Sequence, residues 1–121
     1  MVLVAVDDLL FSSKIRTVAK QAGIELAFAR SQAEVLDKAR TERPALVIFD
    51  LDSAKTDPIG TIAALKADAA IAGIPTLGFA SHVHAALIGA ARKAGAEQVL
   101  ARSAFAGNLA EILLSTRTSR P

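Results

Sequence analysis

A chain of 121 residues with 52% hydrophobic side chains has the size of one domain and enough apolar material to fill one core. Its 14 basic and 12 acidic side chains leave a net charge of only +2, which gives no support to nucleic-acid binding. With no cysteine, disulfides, thiolate catalysis and cysteine-ligated zinc or iron–sulfur sites are excluded.

The run from Met1 to Val6 is shorter than a signal-peptide core and lacks its basic lead. No later segment has the apolar length of a membrane span, so a soluble, cytoplasmic protein without membrane contact is expected. Val2 to Val6, rich in β-branched residues and followed by Asp7 and Asp8, reads as a strand buried on both faces. Phe11, Ile15, Val18 and Ala22 then recur at helical spacing, and Gly23 supplies the stop. Glu25 to Ala29 reads as a second strand. Ser31 and Glu34 have the spacing of a capping box, opening a helix that reaches to Arg43 before Pro44 bars it.

Ala45 to Phe49 is an unbroken apolar run closed by Asp50, the pattern of a central buried strand. Asp57 and Pro58 predict an N-cap and first helical position, with Ile59, Ile62, Ala63 and Leu65 facing inward and an end near Ala67. Thr76 to Phe79 is a fourth strand, Ala85 to Ala94 a fourth helix closed by Gly95, and Gln98 to Leu100 a last strand. Ser103 is positioned to cap a final helix with Leu109, Ile112 and Leu113 inward, ahead of a polar tail from Thr116 to Pro121.

Five strands alternating with five helices predict a three-layer α/β/α domain over residues 1–115, its five-stranded parallel sheet covered on both faces, with residues 116–121 as a tail. In the flavodoxin-like strand order 2-1-3-4-5 the first and third strands are neighbours, and function gathers at the carboxyl ends of the strands. Asp7, Asp8 and Asp50 should therefore converge. Like charges brought together in a partly buried cleft recruit a cation, raise a pKa or pair with a basic side chain, and oxygen-only ligands favour magnesium. The alternative is that Asp7 or Asp8 caps the first helix while Asp50 ends its strand in water.

The segments VLVAVDD, ALVIFD, IPTLGFAS and GAEQVLARS, in that order over nearly the whole chain, resemble the landmarks of response regulator receiver domains. The resemblance implies that Asp50 accepts a phosphoryl group from a histidine kinase. It implies that Asp7, Asp8 and Asp50 hold Mg2+ together with the main-chain carbonyl of Asp52. A carboxylate nucleophile attacking a phosphoryl group needs such a cation to offset the gathering negative charge.

Departures from the family pattern cluster at the site. Ala80 stands where the family has a threonine or serine, and cannot hydrogen-bond a phosphoryl oxygen. Ser81 follows and either substitutes in part or belongs to the loop. Arg102 replaces the family lysine with a planar fork able to grip Asp50 bidentately or to bind a transferred phosphoryl group. Ser103 replaces the proline that follows a cis bond, so a trans, displaced loop is expected. Val99 replaces the switching aromatic residue. His82 and His84 follow the fourth strand, either as loop residues or within reach of the site.

The fourth helix is apolar nearly all round, so it either offers a partner or second copy a surface together with the fifth strand, or exposes tolerated alanines. The expected function is that of an atypical stand-alone receiver in a two-component phosphorelay, phosphorylated on Asp50 with Mg2+ and partnered by a histidine kinase or another signalling protein. The alternative is a pseudo-receiver acting as an interaction module with Asp50 held by Arg102. A flavin carrier on the same fold is opposed by the two carboxylates of DDLLFSS, which repel phosphate. No hydrolase, kinase or dehydrogenase fingerprint is present, so no enzyme is expected.

Overall fold

The computed structural model describes residues 1–53, 55–81 and 85–117; His82, His84 and the end of the polar tail lie outside the described residues. Five strands, β1 (Val2–Ala5), β2 (Leu26–Phe28), β3 (Leu46–Asp50), β4 (Thr76–Ala80) and β5 (Gln98–Ala101), form one parallel sheet in the order β2-β1-β3-β4-β5. Among the described residues six helices cover it: α1 (Leu9–Ala22), α2 (Gln32–Glu42), α3 (Pro58–Ala67), α4 (Ala85–Ala94), α5 (Arg102–Gly107) and α6 (Leu109–Ser115). This is the expected three-layer α/β/α architecture with the expected strand order.

The two-residue period of a strand divides the core. Leu3, Ala5, Val47 and Phe49 point to one face with Val35, Ile62 and Leu65 of α2 and α3. Val2, Val4, Ile48 and Phe79 point to the other with Ile15 of α1, Phe105 of α5 and Leu109 and Leu113 of α6. Because both faces are covered, β1, β3 and β4 are buried at every residue, which is why they read as unbroken apolar runs.

Local signals act largely as their chemistry dictates. Gly23, at φ 72°, closes α1 in the left-handed region. Ser31 Oγ accepts from the Glu34 amide at 3.1 Å, and the Glu34 carboxylate returns to the Arg30 amide at 2.7 Å, one residue before the usual partner. Asp57 holds the cap position of α3 without a side-chain cap bond. It sits at φ 45° with its carboxylate against Gly60, where any Cβ would overlap it.

The final helix departs from expectation. It begins at Arg102, directly after β5, with Ala101 at the cap position and Ser103 exposed in the first turn, so Ser103 caps nothing. It also breaks at Asn108, whose φ of −112° and ψ of 13° interrupt the run. The Asn108 amide keeps the helical bond to the Ala104 carbonyl at 3.1 Å, but its Nδ2 competes for the same acceptor at 2.9 Å. Hence α5 and α6 replace one predicted helix. The peptide before Ser103 is trans, as expected, but no displaced loop intervenes.

Only Ala91 of α4 is fully buried; Ala85, Ala86 and Gly89 are exposed, and Leu87 and Ile88 are half-buried. Among the described residues the large apolar side chains left in solvent lie elsewhere, at Leu9, Leu10 and Leu114. Among the described residues no helix is long and apolar enough to cross a membrane.

Candidate functional site

The register of β1 on β3, from Val2 opposite Leu46 to Ala5 opposite Phe49, brings the turn after β1 alongside the end of β3. Asp7 and Asp8 on that turn therefore lie at the same carboxyl edge as Asp50. Asp50 is 2% exposed, and its Oδ1 accepts the Asp52 amide at 3.0 Å. Burial pushes its carboxyl above the ordinary range; the Asp52 amide and the Arg102 charge oppose that shift, while the charges of Asp52 and Asp7 reinforce it.

Asp8 is largely committed. Its Oδ1 caps α1, accepting from the amides of Leu10 and Phe11 at 3.0 and 3.2 Å, and its Oδ2 lies 3.7 Å from Arg102 Nη1. Asp7 turns elsewhere: its Oδ2 accepts from the buried hydroxyl of Ser53 at 2.8 Å. Asp52 Oδ2 accepts the Ser81 amide at 3.2 Å, joining the turn after β3 to the end of β4 and giving Ser81 a backbone role there.

Arg102 does not fork onto one carboxylate. Nη2 faces Asp50 Oδ2 at 3.5 Å while Nη1 faces Asp8, and the guanidinium carbon stands 4.8 Å from the Phe11 ring and 5.4 Å from the Phe79 ring. Phe79 in turn stacks on Phe105, with centroids 4.4 Å apart and planes 6° from parallel. The rings are a rigid, electron-rich seat for a planar cation. Arg102 also walls an open cleft with Phe11, Ser81, Ala101, Ser103 and Ala106.

Ala80 is buried at the end of β4 opposite Ala101, and Val99 is buried opposite Gly78, so neither position offers a hydroxyl or a ring. Ser53, Phe11 and Phe79 are site residues that pattern reading missed. Two signals existed: a serine in the turn after an acid-ended strand, and aromatic residues on two elements that must meet.

Among the described residues no three acidic or histidine side chains gather into a cluster able to hold a metal ion. The oxygens at this edge are the carboxylates of Asp7, Asp8 and Asp50, with the main-chain carbonyl of Asp52 on the turn after β3, and of these Asp8 is engaged by the α1 amides and Arg102. Two carboxylates and a carbonyl suit magnesium, which keeps several waters and takes the rest of its shell from phosphate.

No family model matches the sequence, and no curated protein matches it. Solved structures do. A response regulator from Hahella chejuensis superposes with a TM-score of 0.84 at 22% identity, covering 98% of this chain and 95% of its own. The chemotaxis response regulator CheY4 of Vibrio cholerae gives 0.80 at 19%, over 95% and 96% of the two chains. The Mn2+-bound form of the response regulator Rcp1 gives 0.75 at 20%, over 98% and 91%. With the sheet order β2-β1-β3-β4-β5 and these superpositions over nearly the whole chain, this chain has the receiver fold of response regulators.

Proposed function

We propose that this protein is a receiver-type module of two-component signalling in which Asp50 accepts a phosphoryl group. One observation carries the reading: a buried carboxylate at the carboxyl edge of β3 with a guanidinium seated against it. In the transfer, a carboxylate oxygen of Asp50 attacks the phosphorus of a phosphohistidine on a kinase, the new P–O bond forms as the P–N bond breaks, and the ring, already protonated on its other nitrogen, leaves as neutral imidazole. Only the ionised carboxylate attacks, and Arg102 favours that form against the burial that opposes it. Arg102 also supplies positive charge where the transferred oxygens gather. Asp7, Asp50 and the Asp52 carbonyl are the residues that would hold a divalent cation, which when bound offsets the charge of the phosphoryl oxygens.

The test is incubation with acetyl phosphate and Mg2+, followed by intact mass. The wild-type chain is expected to gain one acid-labile phosphoryl group and Asp50→Asn none. An unlabelled wild type, under conditions that label an ordinary receiver, rejects phosphorylation.

A second reading is favoured by what stands at the two switch positions: Ala80 supplies no hydroxyl and Val99 no aromatic ring, while Arg102 already bridges Asp8 and Asp50. Under that reading the domain is a pseudo-receiver whose neutralised site stays closed, and which binds a signalling partner without phosphorylation. Partner binding unchanged by Asp50→Asn supports it.

A further inference from the structure

Behind the carboxylates runs a chain of buried hydroxyls. Ser53 Oγ donates to Asp7 Oδ2 at 2.8 Å, Thr56 Oγ1 donates to Ser53 Oγ at 3.3 Å, and Thr61 Oγ1, on α3, donates to the Thr56 carbonyl at 2.6 Å. All three residues are buried, Ser53 at 5% exposure and both threonines at 0%. A buried hydroxyl needs a partner, and an apolar residue would fill each place without that demand. The hydroxyls of Thr56 and Ser53 hand on in turn to Asp7 Oδ2, while Thr61 holds the Thr56 backbone, so one carboxylate oxygen of Asp7 is fixed and with it the side chain that carries it.

The same turn holds the Asp52 carbonyl, since the Ser53 amide donates to the Asp50 carbonyl at 3.1 Å and the Asp52 amide to Asp50 Oδ1. Ser53 thus ties the orientation of Asp7, on the turn after β1, to the turn after β3. We infer that Ser53, backed by Thr56, is a positioning residue for Asp7 that sets the affinity of the acidic edge for a divalent cation. The inference rests on the reading of that edge as a cation site.

The experiment uses the full chain, with Mn2+ as the probe followed by the electron paramagnetic resonance signal of the free ion, and side-chain couplings of Asp7 measured by NMR without metal. Ser53→Ala is expected to weaken Mn2+ binding by about tenfold, the size of effect seen when an outer partner of a metal ligand is removed. Ser53→Thr, which keeps the hydroxyl, is expected to restore most of it, and Thr56→Val, which keeps the shape, to fall between. In the metal-free protein Asp7 is expected to hold one rotamer in the wild type and to average over several in Ser53→Ala.

Mn2+ binding that Asp7→Asn abolishes and Ser53→Ala leaves unchanged overturns the inference alone. A wild type whose Mn2+ binding is absent, or is indifferent to Asp7→Asn, overturns the cation reading and the inference with it. An Asp7 rotamer already averaged in the wild type overturns the positioning role whatever the metal does. Should Ser53→Ala fail to fold, Thr56→Val reads the same two quantities.

Discussion

Arg102 Nη2 stands 3.5 Å from Asp50 Oδ2, close enough to pair charges but too long for a good hydrogen bond. Its other terminal nitrogen serves Asp8, and two aromatic rings support its plane. The guanidinium therefore acts as a shared counter-charge at the acidic edge, seated over two rings.

Removing that counter-charge while keeping the stem should act on Asp50 more than on the fold. In Arg102→Met the Asp50 carboxyl is expected to titrate at higher pH than in the wild type, because burial is then opposed by the Asp52 amide alone. Stability should change by less than about 1 kcal/mol, since the pair is partly open to solvent on the arginine side. Carboxyl carbon NMR through an acid titration measures the first quantity and urea unfolding the second. An unmoved Asp50 titration would show that the pair does not form in solution.

Asp50 itself should cost stability at neutral pH. A carboxyl whose folded-state pKa is raised binds its proton more tightly folded than unfolded, so stability falls as pH climbs from the ordinary range near about 4 to the raised value. Asp50→Asn removes that cost. At pH 7 it is expected to be more stable by about 1 to 2 kcal/mol, or about 4 to 8 °C in Tm. The gain should vanish below about pH 4, where both states of the wild type are protonated. A gain independent of pH would assign it to packing instead.

The strand beneath the site depends on a missing side chain. A Cβ at Gly78 would lie 3.0 Å from both methyl carbons of Leu51, the residue after Asp50. Gly78→Ala is therefore expected to destabilise by about 1 to 3 kcal/mol, the usual range for overpacking. Pairing it with Leu51→Ala should recover part of that loss, so the two changes will not add. Strict additivity in denaturant unfolding would mean that the leucine yields freely.

How much of this was legible in sequence depends on the range of the interactions. The run from Ala45 to Asp50 announces a central strand because both faces are covered, and the edge on which Asp7, Asp8 and Asp50 stand follows from strand order. The interruption at Asn108 was not legible, because Leu109, Ile112 and Leu113 keep a helical period across it and only a local side-chain bond shows the break. Asp8 reads in sequence as a ligand with a cap as the alternative, and in the structure it caps while also facing Arg102. Ser53 and the stack beneath Arg102 join residues far apart in the chain, where no short pattern connects them.

At the opposite end of the sheet Glu97 should report on acid stability with the contrary sign. Burial pushes its carboxyl up, but bonds from Lys66 Nζ at 2.7 Å, the Thr76 hydroxyl at 2.7 Å and the Thr76 amide at 2.9 Å outweigh it and leave it below the ordinary range. A depressed carboxyl contributes stability above its unfolded pKa, near about 4.3, and loses it as pH falls through the folded value. Lys66 also donates to the carbonyls of Ala72 and Ile74, so the pair closes the loop leading into β4. Glu97→Gln is expected to lose about 1 kcal/mol at pH 7, a modest figure because half of the Glu97 side chain is open to solvent. The difference from wild type should shrink as pH falls from about 4.3 through the lowered folded value, below which the native glutamate is itself protonated. Urea unfolding at a series of pH values checks this, and a loss that persists undiminished at about pH 2 would mean that the amide disturbs Thr76 sterically rather than by charge.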